Sequence, residues 1–151
     1  MKQEQLKDLQ PVQFDRFVRI LDQNQLNHAY LFSGLFGGLD MAKFLAKSLF
    51  CTDKVGVLPC EKCRNCKLIE EEEFPDVTMI KPINQIIKTE RIRELVSQFS
   101  QAGIESQQQV FIIEQAEKMH PNAANSLLKV IEEPQSEAYI FFLTSDEEKI
   151  L

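Results

Sequence analysis

Two unbroken apolar runs, Val110-Phe111-Ile112-Ile113 and Tyr139-Ile140-Phe141-Phe142-Leu143, constrain this chain more than any other feature. Neither alternates apolar with polar residues, so neither suits a strand with one face in water. Both are short and rich in β-branched or aromatic residues. They read as strands covered on both faces. Between them, residues 121–133 carry a helical pattern opened by Pro121 and closed by Pro134. Strand, helix and second buried strand imply a parallel pair joined by a right-handed crossover.

The same alternation extends toward the N-terminus. Residues 11–24 read as an amphipathic helix, with Phe14, Phe17, Val18 and Leu21 at helical spacing behind Pro11. A short buried strand is expected over 29–33. A helix follows from about 39 to 50, with Met41, Phe44, Leu45 and Leu49 on its buried stripe. Residues 67–73 read as another helix and 77–80 as a strand. Thr89 reads as the N-cap of a helix running to about Ala102, with Ile92, Leu95, Val96 and Phe99 on one face and Gly103 as its stop. The expected class is α/β, a parallel sheet flanked by helices.

Composition excludes several alternatives. The 151 residues suffice for one domain with a core, and 44% hydrophobic content argues against disorder. A net charge of −6 opposes non-specific binding to a polyanion. No apolar run approaches a membrane span, and the polar N-terminus lacks a signal-peptide core, so a cytoplasmic location is expected.

After the first strand comes Gly34-Leu35-Phe36-Gly37-Gly38-Leu39-Asp40-Met41. It has the frame of a phosphate-binding loop, in which backbone N–H groups cradle phosphates at a helix N-terminus. The places for lysine and Ser/Thr hold Asp40 and Met41. A carboxylate about 4 Å from a phosphate costs roughly 4 kcal/mol at an effective dielectric near 20, and Met41 cannot ligate magnesium. Lys43 and the pair Lys47-Ser48 lie further along the helix and do not restore the motif. A second motif is altered in parallel. Glu114 follows the strand at 110–113 where a metal-binding acid is needed, and Gln115 stands where a water-activating acid belongs. Both stretches also suit a plain strand-to-helix turn and a polar strand end. Together they suggest a fold kept for shape, with ATP not expected to be hydrolysed.

Cys51, Cys60, Cys63 and Cys66 are all the cysteines in the chain, spaced C-x8-C-x2-C-x2-C. Two-residue gaps let neighbouring thiolates converge on one ion. Four sulfurs make a closed tetrahedral site, structural and not catalytic, for which zinc is expected. Iron–sulfur ligation and four free thiols are the alternatives.

Five stretches carry a resemblance: "HAYLFSG" at 28–34, "CRNCKLIEEEEFPD" at 63–76, "VFIIEQAEKM" at 110–119, "NAANSLLKVIEEP" at 122–134 and "YIFFLTSD" at 139–146. The chain resembles the delta-prime family of bacterial DNA polymerase III clamp-loader subunits, a branch of the AAA+ proteins. The resemblance implies a RecA-like core over 1–151 with a zinc-binding insert at 51–66. It implies a non-catalytic stator that assembles with delta and gamma/tau subunits and helps place the sliding clamp on primer–template DNA. Gly34, Gly37, Gly38, Asp40, Met41, Glu114, Gln115 and Thr144 would then be a degenerate nucleotide site, Thr144 and Ser145 lying where the family senses nucleotide. Family members carry an arginine finger soon after the strand at 139–144. The sequence ends at Leu151, before such a residue, so a fragment without that finger, the last core strand, the lid and the collar domain is expected. The strand at 29–33 would then be an exposed edge through which the chain self-associates. The competing readings are a gamma/tau-like ATPase and a zinc-dependent DNA-binding module.

Four lesser features carry plainer expectations. His28 reads as a packed or capping residue. Glu70–Glu73 reads as a solvated helix end, with partner docking as the alternative. Lys81, Lys88, Arg91 and Arg93, with Lys129, form a modest basic cluster that reads as a solvated face, with a phosphate contact as the alternative. Asn125 and Lys129 share a helix face and receive no role.

Overall fold

The computed structural model describes residues 2–33, 37–99, 103–132 and 137–145. Gly34, the last residues of the helix expected to reach Ala102, and Glu133-Pro134 lie outside the described residues. The chain divides into two compact units, one formed by residues 1–27 and 36–74, the other by 28–35 and 75–151.

The first unit is helical: α1 (Gln3–Leu9), α2 (Pro11–Asp22), α3 (Gly38–Phe50) and α4 (Arg64–Glu70). Sequence periodicity gives no sign of α1, because its only buried residue is Leu6. The Gln5 side chain accepts the Lys2 N–H at 3.1 Å in the helix's own cap, and the Gln3 N–H donates to Glu61 at 2.9 Å, which ties this short helix to the rest of its unit. In α2, Pro11 occupies the first turn, where its missing N–H costs nothing. The helix ends at Asp22 and not at residue 24, because Asn24 turns left-handed (φ 54°) and the Gln25 N–H bonds back to Ile20 at 2.9 Å. Phe14 meets Phe44 of α3 at a ring separation of 4.8 Å.

α3 is buried almost all round, from Met41 to Ser48 and again at Phe50. This corrects the expected stripe. Leu49 is only half-buried, whereas Lys43 and Lys47 are buried. α4 is displaced three residues toward the N-terminus from the expected 67–73. Cys63 is its N-cap, the sulfur accepting the Cys66 N–H at 3.4 Å, and Glu72 turns left-handed (φ 62°) past its end.

The second unit is a four-stranded parallel sheet, β1 (Ala29–Ser33), β2 (Val77–Ile80), β3 (Gln108–Ile113) and β4 (Glu137–Thr144), ordered β1-β4-β3-β2. β3 and β4 each begin two residues before their apolar runs. All four residues from Val110 to Ile113 are fully buried, as their composition requires. Helices α5 (Thr89–Phe99) and α6 (Pro121–Glu132) contribute Ile92, Leu95, Phe99, Ala123 and Leu127 to one core with Phe111, Ile113 and Ile140. Burying one such side chain is worth roughly 1.5–3 kcal/mol.

Two polar contacts fix the sheet's margins. Asp76, 2% exposed, accepts the N–H groups of Ile104 and Glu105. The backbone needs glycine beside it, since a Cβ on Gly103 would sit 2.6 Å from the Gln108 carbonyl and 2.7 Å from Asp76 Oδ1. His28 is a packed residue, as expected. Its Nδ1 lies 2.7 Å from the Ala138 carbonyl and its ring stacks on Tyr139 at 5.4 Å. No described helix is long and apolar enough to cross a membrane.

Candidate metal centre and phosphate-loop turn

The four cysteines converge. Their sulfurs all lie within 4.8 Å of one another, with Cys51 and Cys63 at 3.9 Å. A tetrahedral ion with metal–sulfur bonds of about 2.3 Å needs sulfurs about 3.8 Å apart. The cluster therefore fits one thiophilic ion after a small contraction. Backbone N–H groups point at the sulfurs. Asp53 and Cys60 donate to Cys51, each at 3.3 Å; Lys62 and Cys63 donate to Cys60, at 3.3 and 3.2 Å; Cys66 donates to Cys63. These bonds are what a thiolate-rich centre requires to spread its negative charge.

The acidities are uneven. Burial pushes Cys51 up, partly offset by the N–H groups of Cys60 and Asp53. Burial also opposes ionisation of Cys63, but hydrogen bonds from Thr52 and Cys66 outweigh it and bring the thiol down to about 6. Cys66 is pushed far above the ordinary thiol range by burial and by the sulfurs beside it. Its deprotonation therefore needs the positive charge of an ion, which couples metal binding to proton release.

The cap at Cys63 ties the cluster to the rest of its unit. α4 starts on that sulfur and ends at Glu70. Glu70 Oε1 lies 3.3 Å from Lys47 Nζ and Oε2 lies 3.5 Å from Lys43 Nζ. Lys43 also reaches Glu72 at 3.4 Å and donates to the Glu70 carbonyl at 3.0 Å, and Lys47 reaches Glu61 at 4.0 Å. The two lysine side chains are 11% and 6% exposed. Burial raises the Glu70 carboxyl, but Lys47 and then Lys43 outweigh it, and the net shift is downward. Half of the acidic run departs from the expected solvated helix end, while Glu71 and Glu73 are exposed as expected. Glu70 and Glu72 are counter-ions of buried lysines. Identical residues at 70–73 hide this from sequence reading, because only the fold shows which of them face α3.

At the start of α3, Gly37 is left-handed (φ 82°), a conformation that favours glycine, and Gly38 begins the helix. Asp40 lies in the first helical turn and Met41 is 3% exposed. These residues belong to the first unit. Glu114, Gln115 and Thr144 belong to the second, at the carboxyl ends of β3 and β4. Glu114 pairs with Lys81 at 3.6 Å, Gln115 is left-handed (φ 50°) and exposed, and buried Thr144 donates to Glu117 at 2.8 Å. The sequence reading did not find Glu117. Of the basic cluster, Lys81 and Arg91 have acidic neighbours, Glu114 and Glu94.

A family sequence model described as "DNA polymerase III, delta subunit" matches residues 9–151. The chain belongs to the DNA polymerase III delta-subunit family. Within reach of this family, it is 40% identical over 149 residues to DNA polymerase III subunit delta' of Bacillus subtilis (strain 168), covering 97% of this chain and 45% of that protein. It is 34% identical over 132 residues to subunit tau/gamma of Haemophilus influenzae, covering 86% of this chain and 19% of that one. Its fold is similar to that of a crystallised gamma subunit-related protein from Thermotoga maritima, with a TM-score of 0.59, 20% identity, and coverage of 91% of this chain and 40% of that one. The delta-subunit family member described here thus spans less than half the length of these relatives.

Proposed function

We propose that this chain is the AAA+ core of a non-catalytic clamp-loader subunit, a stator of the bacterial DNA polymerase III complex. It would work in the cytoplasm with delta and gamma/tau subunits, and meet the sliding clamp and primer–template DNA through that complex. The observation that carries the non-catalytic reading is the first turn of α3. Asp40 brings negative charge to a helix N-terminus where a phosphate would need a cation, and Met41 is a core residue. Gly37 and Gly38 are then retained for the left-handed turn that starts α3. The 40% identity to a delta' subunit supports the assembly role.

The insert at 51–66 is read as a structural zinc module held by Cys51, Cys60, Cys63 and Cys66. A thiolate-only, closed donor set suits that ion. Zinc would supply the charge that keeps all four sulfurs ionised and α4 capped.

Calorimetry with ATP and magnesium on the zinc-loaded protein tests the reading, alongside reconstitution with delta and gamma/tau. The expected result is assembly into the ring with no heat of nucleotide binding. Micromolar ATP binding with turnover would instead make the chain a motor subunit, the reading to which its tau/gamma relatives point.

A further inference from the structure

The cysteine insert carries a contact that metal binding alone does not require. Glu61 lies between Cys60 and Cys63 and is left-handed (φ 62°), a conformation that favours glycine. Its backbone hydrogen-bonds the Cys66 sulfur. Its carboxylate accepts the Gln3 N–H at 2.9 Å and lies 4.0 Å from Lys47 Nζ. Gln3 is the first residue of α1, so this N–H is one of the donors that a helix leaves without an internal partner. Apolar packing holds α1 weakly, since Leu6 is its one buried residue. Lys2, which precedes the helix, lines a cavity of about 230 Å³ together with Cys66 and Glu61. The N-terminal helix therefore starts at the edge of the cysteine cluster, on a side chain that the insert itself supplies.

We propose that Glu61 fastens α1 to the metal centre, so that docking of the N-terminal helix and binding of the ion reinforce each other. An ion that draws the four sulfurs together fixes the backbone between Cys60 and Cys63, and with it the place of the Glu61 carboxylate. So placed, the carboxylate satisfies the Gln3 N–H with a charge-assisted bond. Linkage makes the effect mutual. Whatever factor the metal adds to the docking of α1, docking adds to the affinity for metal. The inference rests on the zinc reading of the insert given above. It adds a residue far from every cysteine on which metal affinity depends: Gln3, 58 positions from Glu61.

Zinc affinity, measured by competition with a chromogenic chelator in the wild type, Gln3→Pro, Glu61→Gly and the double variant, tests the coupling. Both substitutions suit the backbone that receives them. Proline is tolerated in the first turn of a helix and lacks the N–H in question, and Lys2 before it is already extended (φ −78°, ψ 156°). Glycine takes the left-handed place at 61 without strain. Circular dichroism verifies folding, and Glu61→Asn, which also accepts a left-handed backbone, replaces Glu61→Gly if that variant fails to fold. Either single variant is expected to bind zinc about fivefold more weakly, the size of one partly exposed charge-assisted hydrogen bond, and the double variant no more weakly than either. Hydrogen exchange of the loaded variants should quicken in residues 3–9 and stay unchanged in 64–70. A zinc affinity of Gln3→Pro within about twofold of the wild type overturns the proposal, α1 being then a mere appendage of the insert. Losses that add in the double variant overturn the Glu61–Gln3 bond as the link. A wild type that takes up no zinc refutes the zinc reading and the coupling together, and metal analysis of the protein tells that outcome from the others.

Discussion

Glu70→Gln should destabilise the protein much more than the loss of a surface acid. The replacement keeps the size of the side chain and removes the charge that faces Lys47 at 3.3 Å and Lys43 at 3.5 Å. Removing one partner of a fully buried ion pair costs about 3–5 kcal/mol, because the other charge is left without compensation. Here the lysines are buried but Glu70 is 41% exposed, and Glu72 remains 3.4 Å from Lys43. Screening and that second acid reduce the figure by about half, to roughly 2 kcal/mol. For a chain of this size that is a fall in melting temperature of about 4–8 °C. The companion variant Lys47→Met fixes the cause. It removes a buried charge and keeps the apolar stem, so it should be neutral or slightly stabilising, and the double variant should recover most of the loss. Urea unfolding at neutral pH with metal present gives all four values. The pH dependence follows from the lowered Glu70 carboxyl. Its contribution is complete above the ordinary value of 4.5 and is lost as pH falls through the folded value below it. Wild-type stability should therefore drop more steeply than that of Glu70→Gln below about pH 4.5. The reasoning fails if Glu70→Gln costs less than about 0.5 kcal/mol, the range of ordinary surface substitutions. It fails equally if Lys47→Met is as damaging as Glu70→Gln.

Three further outcomes are expected. Chelating the proposed zinc should unfold α4 and melt the first unit at lower temperature, since structural zinc contributes on the order of 10 kcal/mol in small sites; Cys63→Ala, which removes a sulfur and also the α4 cap, should mimic it, as read by metal content and far-UV circular dichroism. Gly103→Ala should cost roughly 2–3 kcal/mol in denaturant unfolding, because its Cβ would press on the Gln108 carbonyl and on an Asp76 carboxylate already bonded to two N–H groups. β1 is an edge of the sheet among the described residues and Leu31 is 44% exposed, so sedimentation should show association rising with concentration, which Leu31→Lys suppresses; a monomer at every concentration refutes that edge as an adhesive surface.

Local signals carried the reading where burial itself leaves a pattern. The runs at 110–113 and 139–143 are apolar without interruption because both of their faces are covered, and they are adjacent parallel strands in the sheet. The cysteine spacing named all four members of the cluster, since a two-residue gap brings neighbouring sulfurs together whatever surrounds them. α1 was invisible because one leucine makes no period. α4 was misplaced because its start is set by a sulfur cap and not by apolar spacing.

The sequence by itself determined the parallel α/β class, the membership of the four-cysteine cluster and the family, each written in residues close together along the chain. Only the tertiary structure decided which charges are partners. Lys47 with Glu70, Asp76 with the N–H groups of Ile104 and Glu105, and Thr144 with Glu117 are separated by 23 to 29 residues. A charge in an isolated segment looks solvated because water satisfies it. Once the chain closes and removes that water, each buried polar group must find its counterpart on another element, and which one it meets depends on the packing of the whole unit.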